Sequence, residues 1–244
     1  MRGVSVAVLD VVSPREEIEG QAKIQHYICD VGDVTAVERV AKQIEKDLGP
    51  PTILINNAGI VNGKTMWDLT TKDIQRNFHV NLISHFNTIR TFLPSLLASE
   101  TGGTIVTVAS VLGKLGAGNL TDYSASKAGL IAMHTSLRAE LSSASAPEGA
   151  ENIRMVLVTP GQLSTQLFAA LDTPTNFFGP VVETVELARE IVRMVDAGES
   201  GEISMPLYTR WVEWNSILPA SVQKLLRMIS GIDQAMGKAV SKKV

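Results

Sequence analysis

Tyr123 and Lys127, in the stretch "DYSASKAGL", stand four residues apart and therefore share one face of a helix. A free tyrosine has a pKa of about 10 and is a poor base at neutral pH. An ammonium beside it favours the phenolate, and such a phenol can exchange a proton with a substrate hydroxyl. Taken alone the pair is weak evidence, because most tyrosines and lysines at this spacing are ordinary surface residues. Other polar residues strengthen it. Ser110 closes the apolar run "TIVTVAS", where a hydroxyl can hydrogen-bond a carbonyl as negative charge develops on it. "NNAG" (56–59) ends another apolar run and offers two amides plus close backbone approach at Gly59. Asn81 lies in the long helical stretch that follows, and Pro160-Gly161 makes a sharp turn at the end of "NIRMVLVTPG".

Alternating elements must position these residues. The strand candidates are "VSVAVLD", "KIQHYICD", "TILINNAG", "GGTIVTVAS", "NIRMVLVTPG" and "GEISMPL". Between them lie helical stretches. "DVTAVERVAKQIEKDLG" has Asp33 as N-cap and Val37, Val40, Ile44 and Leu48 at helical spacing. "TKDIQRNFHVNLISHFNTIRTFLPSLL" reads as one long helix and "YSASKAGLIAMHTSLRAELSS" as another. In "ETVELAREIVRMVDAG" the predicted apolar face is Val185, Ala188, Val192 and Val195. Strand–helix alternation with apolar strands implies a parallel sheet covered on both faces. Asp10, Asp30, Asn56, Asn57, Ser110, Pro160 and Gly161 all fall at strand ends, where such sheets bind ligands.

Bulk properties agree with one globular α/β unit. Of 244 residues, 45% are hydrophobic and 19% charged, which excludes a disordered chain. The net charge of −3 gives no general attraction to nucleic acid, and none is expected as a partner. Cys29 is the only cysteine, so no intrachain disulfide can form and a reducing compartment fits. No metal site is assigned. No apolar run is long enough to span a bilayer, and the N-terminus reads as a strand rather than a signal peptide.

In this order and on these elements, Asn56-Asn57-Ala58-Gly59, Ser110, Tyr123-Ser124-Ala125-Ser126-Lys127 and Pro160-Gly161 followed by Thr165 resemble the short-chain dehydrogenase/reductase family, from about Val4 to Met205. The resemblance implies a Rossmann-like doubly wound parallel sheet in three α/β/α layers, with residues 1–206 as the core. It implies hydride transfer between NAD(P) and an alcohol or ketone. Tyr123 would be the acid/base, and Lys127 would lower its pKa and hold the nicotinamide ribose. Ser110 would polarise the reacting carbonyl, and Asn81 would hold a proton-relaying water. Asn57, Ala58 and Gly59 would lie along the cofactor, Asn57 mainly stabilising the central sheet. Asp30 and Val31 would contact adenine; Pro160, Gly161 and Thr165 would frame the nicotinamide. Asp10 carries its own argument: an acid ending the second strand accepts from ribose hydroxyls and repels a 2′-phosphate, so NAD is preferred over NADP.

One part of the pattern is missing. The dinucleotide fingerprint needs a glycine-rich turn roughly 20 residues before that acid, and only nine residues precede Asp10. The expectation is an N-terminally truncated member without the first strand, its turn and the first helix. That strand would lie between those ending at Asp10 and Asn56, so two unpaired edges should result. "GKLGAG" (113–118) reads as substrate-side loop, not as a phosphate cradle.

The tail, residues 207–244, holds two of the three tryptophans, an apolar stripe of Val222, Leu225, Leu226 and Ile229, and Lys238, Lys242 and Lys243. It reads either as a helix docked on the domain or a partner subunit, the favoured reading, or as an element touching a membrane or lipid droplet. The tail also resembles the family's branch acting on retinol- or steroid-like substrates. The location expected is cytoplasmic, or peripheral on the cytosolic side of a membrane, with a second copy of the chain as a candidate partner. Two other readings stand: a non-catalytic relative that binds partners or lipid, and a nucleotide-sugar epimerase, disfavoured by the short region after Pro160.

Overall fold

The computed structural model describes residues 4–13, 23–165 and 180–233. Its strands are β1 (Ser5–Asp10), β2 (Lys23–Ile28), β3 (Ile53–Asn56), β4 (Thr104–Val108), β5 (Arg154–Val158) and β6 (Gly201–Ile203). Its α-helices are α1 (Val34–Leu48), α2 (Thr71–Phe78), α3 (Ser84–Leu97), α4 (Thr121–Leu141), α5 (Thr184–Ala197) and α6 (Ala220–Ser230). All strand pairing is parallel, as the alternation with helices requires.

The strands form two sheets. β1 pairs with β2, and β3, β4, β5 and β6 form the other sheet in that order. Among the described residues no strand lies between β1 and β3, so each presents an open edge. The apolar side chains there are exposed: Val6 on β1 and Ile53 and Ile55 on β3. One apolar cluster links the two sheets instead. Val37, Val40, Ala41 and Ile44 of α1 pack with Cys29 and Phe92, against Ala7 and Leu9 of β1 and Leu54 of β3.

The other sheet is better filled. Every residue of β4 is buried. Val106, Val108, Val156 and Val158 pack under Leu187, Ile191 and Met194 of α5. The buried face of α5 is therefore not the predicted one: Val185, Ala188 and Val192 are exposed, and Val195 is only partly covered. Both stripes have helical spacing, and the larger Leu, Ile and Met side chains reach the sheet.

Asp33 caps α1 as predicted, accepting from the amides of Thr35 (2.9 Å) and Ala36 (3.3 Å). The long helix expected over 71–97 is interrupted. A π-helical turn, His79–Ile83, separates α2 from α3. Such wide turns occur mostly within helices, often at functional sites, and this one carries Asn81.

Candidate active site

α4 starts at Thr121, so Tyr123 and Lys127 occupy its first turns beside the end of β4. Both are buried, each with 3% exposure. The Tyr123 phenol is hydrogen-bonded to the Ser110 hydroxyl. Lys127 Nζ lies 5.8 Å from the Tyr123 ring centroid and donates to the Val108 carbonyl at 2.9 Å. Ser110 also accepts from the Leu112 amide at 3.1 Å, which fixes its hydroxyl at the start of the 3₁₀ turn Val111–Gly113. Gly113 permits this packing: a Cβ there would lie 2.7 Å from the Lys127 backbone.

Burial controls the protonation of the pair. It pushes the Tyr123 phenol up to about 12, with the Ser110 hydrogen bond pulling the other way. Burial also pushes Lys127 down to about 8, since no carboxylate compensates the desolvated ammonium. In this arrangement burial, rather than the ammonium, decides the phenol's proton affinity. At neutral pH the phenol is protonated, which suits donation to a carbonyl oxygen.

Asn81 is fully buried and ties three segments together. Its Oδ1 accepts from the Ile60 amide at 2.8 Å; its Nδ2 donates to the Ile60 carbonyl at 2.9 Å and to Ser126 Oγ at 3.2 Å. The loop after β3 is thus pinned to α4. A Cβ on Gly59 would lie 3.6 Å from both Asn81 Oδ1 and Lys127 Nζ, so Asn81, Lys127 and Gly59 converge at one point. The asparagine pair resolves differently from expectation. Asn56 is the buried member, accepting from Thr88 Oγ1 at 2.8 Å. Asn57 is exposed at the end of an edge strand and cannot brace a central sheet there; Ala58 beside it is partly covered.

The remaining predicted residues lie at strand ends. Pro160 and Gly161 are buried after β5; the Pro160 carbonyl accepts from Val111 N at 2.9 Å, joining this turn to the Ser110 turn. A Cβ on Gly161 would meet Pro206 at 2.9 Å and the Tyr208 hydroxyl at 3.1 Å. Thr165 leaves a buried hydroxyl without a hydrogen-bond partner. On the far side, Asp10 is exposed after β1 and accepts from Val12 N at 3.2 Å. Asp30 accepts from Gly32 N at 2.9 Å, and Asn87 of α3 holds the carbonyls of Val31 and Gly32 at 3.3 and 3.0 Å.

Sequence reasoning missed three groups. Asp122, buried next to Tyr123, accepts from Asn62 at 2.6 Å; its position in the first turn of a helix was a readable signal. His85 is buried with both ring nitrogens unpaired, and burial plus the nearby Lys127 push it down to about 3. Lys114, in the "GKLGAG" loop, is almost fully covered and pairs with Glu202 and with Glu213, the latter at 2.9 Å. No local sequence pattern signals those two.

A family model described as short chain dehydrogenase matches residues 3–176. The chain belongs to that family. Among curated relatives, this short-chain dehydrogenase is 34% identical over 215 residues to "Uncharacterized oxidoreductase TDA5" of Saccharomyces cerevisiae, covering 86% of this chain and 64% of that protein. It is 35% identical over 170 residues to human "Retinol dehydrogenase 10", covering 69% of this chain and 48% of that one. It is 30% identical over 225 residues to human "Epidermal retinol dehydrogenase 2", covering 92% and 71%. The chain thus spans between 48% and 71% of the length of these relatives. A solved 4-hydroxyisoleucine dehydrogenase complexed with NADH has the same fold, with a TM-score of 0.66 and 23% identity over 82% of this chain and 85% of that one.

The family implies a nicotinamide dinucleotide. The residues fit its nicotinamide half: the Thr165 hydroxyl is buried without a partner, the Pro160-Gly161 turn is joined to the Ser110 turn, and the Lys127 ammonium beside Gly59 keeps donors beyond its bond to the Val108 carbonyl. Asp10 and Asp30 offer acceptors for the adenosine half. Among the described residues, no glycine-rich turn between the two sets supplies backbone amides for the pyrophosphate.

Proposed function

We propose that this chain carries the chemistry of an NAD(P)-dependent oxidoreductase interconverting an alcohol and a ketone or aldehyde. The observation that carries the proposal is the buried Ser110–Tyr123 hydrogen bond with Lys127 in the same pocket. The nicotinamide dinucleotide supplies the hydride donor or acceptor. In the reduction direction Ser110 donates a hydrogen bond to the substrate carbonyl oxygen, and Tyr123 transfers its phenolic proton to that oxygen as the carbon is reduced. In oxidation the step runs in reverse: Tyr123 first passes its proton to the relay and then, as the phenolate, takes the hydroxyl proton of the substrate. Lys127 and Asn81 hold the cofactor's ribose and a water through which the phenol regains its proton. The exposed carboxylate of Asp10 favours NAD over NADP, because it accepts ribose hydroxyls and repels a 2′-phosphate.

Retinol dehydrogenases among the relatives support a lipophilic, retinol-like substrate, and the exposed apolar residues of the tail support a location at the cytosolic surface of a membrane. The test is NAD(P)H absorbance with all-trans-retinol and small ketones, on the parent and Tyr123→Phe. Turnover should fall by about 10³-fold or more with NADH affinity little changed; retained turnover would refute the assignment.

The open edges of β1 and β3 favour a second reading, a binding protein without turnover. Titrating NADH and following nicotinamide fluorescence separates the two: no binding at millimolar cofactor leaves only the second.

A further inference from the structure

α6 is built inside out. The partly covered residues are polar, Gln223, Arg227 and Ser230, at positions i, i+4 and i+7. Gln223 donates to the Leu218 carbonyl at 2.8 Å. Arg227 donates to the Gly116 carbonyl at 2.9 Å and is paired with Asp233. Asp233 in turn accepts from Gly118 N at 3.2 Å. The stripe of Val222, Leu225, Leu226 and Ile229 faces solvent, and no residue of the helix is buried. This reverses the usual arrangement, in which the apolar stripe packs on the core. The stripe is therefore not docked on this domain, and the contact of the helix segment with the body runs through its other face.

Further exposed apolar side chains precede the helix in the chain. Trp211 and Trp214 are each 61% exposed, in edge contact with ring centroids 5.8 Å apart, and Ile217 is 75% exposed. An apolar patch of this extent marks an interaction surface. Its charge identifies the partner. From Leu207 onward the sequence carries Arg210, Lys224, Arg227, Lys238, Lys242 and Lys243 against Glu213 and Asp233, a net +4 in a chain of net −3. A segment that combines exposed tryptophans and aliphatics with a net positive charge matches the interface of an anionic bilayer. A self-complementary contact with a second copy would oppose these cations to one another. The helix has 11 residues, about 16 Å at 1.5 Å per residue, and so cannot cross the hydrocarbon core of about 30 Å.

We infer that this face docks peripherally on an anionic phospholipid surface, with α6 lying in the interface plane. Arg227 and Asp233 hold α6 on Gly116 and Gly118, in the loop that joins Ser110 to Tyr123. Docking therefore sets that flank of the site beside the lipid. The inference deepens the membrane location proposed above and rests on it for its meaning, while its test reads lipid binding without turnover.

The chain is sedimented with vesicles of phosphatidylserine and phosphatidylcholine, and with phosphatidylcholine alone. Binding should be at least tenfold stronger to the anionic vesicles and should weaken as salt rises. The double substitution Trp214→Ser with Leu225→Ser alters only outward side chains. It should reduce binding about tenfold or more with an unchanged circular dichroism spectrum. Lys224→Glu should weaken binding to the anionic vesicles alone. Absence of binding to anionic vesicles, or equal binding by parent and double variant, overturns the inference. So does a dimer, seen by light scattering, that the double substitution dissociates while vesicles bind neither form.

Discussion

β4 and β1 are both short parallel strands whose far ends deliver polar residues toward a ligand cleft, and their surroundings differ completely. β4 has neighbours on both sides and every residue buried; its end places Ser110 against Tyr123. β1 pairs on one side only and has no buried residue, and Asp10 at its end is exposed. A side chain can be held for chemistry only where packing restricts both it and its partners. The region around β4 therefore holds Ser110, Tyr123 and Lys127 in a fixed arrangement, the one proposed above for proton transfer. The β1–β2 region offers exposed acceptors held by turns and by one helix contact from Asn87.

Substitutions on the two sides test this contrast, and after Tyr123→Phe the largest effect is expected at Ser110. Ser110→Ala should lower turnover by about 10²-fold or more, because it removes the donor to the developing negative charge. NADH affinity, followed by fluorescence, should stay near that of the parent. An equal loss of both would show that the residue merely supports the turn.

Lys127→Met should separate stability from activity. A buried lysine pushed down to about 8 is disfavoured as a cation in the folded state. Below about pH 8 the charge is buried in full and its cost is complete. Between about pH 8 and 10.4 the folded lysine is neutral while the unfolded one still binds a proton, so stability rises with pH. The variant should therefore be more stable than the parent by about 1–3 kcal/mol at pH 7, with the gap closing toward pH 10. Denaturant titrations at the two pH values measure it. A variant less stable at pH 7 would show that the Val108 hydrogen bond outweighs the cost of the charge.

A smaller effect divides the two asparagines. Asn56→Ala should cost about 1–2 kcal/mol by leaving Thr88 with one partner fewer inside the protein, and Asn57→Ala should stay within about 0.5 kcal/mol. The smallest effect is expected on the open side. Asp10→Ala should shift the ratio of NAD to NADP affinity a few-fold toward NADP, with unfolding unchanged. A strong destabilisation there would mean that β1 is more tightly held than its exposure indicates.

Much of the catalytic side is legible from local pattern. Tyr123 and Lys127 share a helix face because the helical repeat makes them do so, and the apolar run before Ser110 can only be a buried strand. The N-cap Asp33 and the buried stripe of α1 are read from spacing alone. Spacing fails where two stripes compete: on α5 it selected Val185, Ala188 and Val192, and the sheet took Leu187, Ile191 and Met194. Spacing is silent on the asparagine pair, because which of two adjacent residues on a strand is buried depends on the neighbouring strands. The Lys114 ion pairs with Glu202 and Glu213 join residues some 90 to 100 positions apart, which no local window can contain.

The residues alone determined the parallel α/β class, the family, the order of the site's parts and the pairing of Tyr123 with Lys127. These follow from periodicity and from residue chemistry, which are properties of short stretches of chain. The tertiary structure decided how strongly burial holds the phenol's proton, that Asn81 pins the loop after β3 to α4, and that among the described residues β1 and β3 each keep one open edge. It also turned α6 with its apolar face outward. Each of these depends on which surfaces meet across the fold, and desolvation, hydrogen-bond satisfaction and edge pairing exist only once distant segments are brought together.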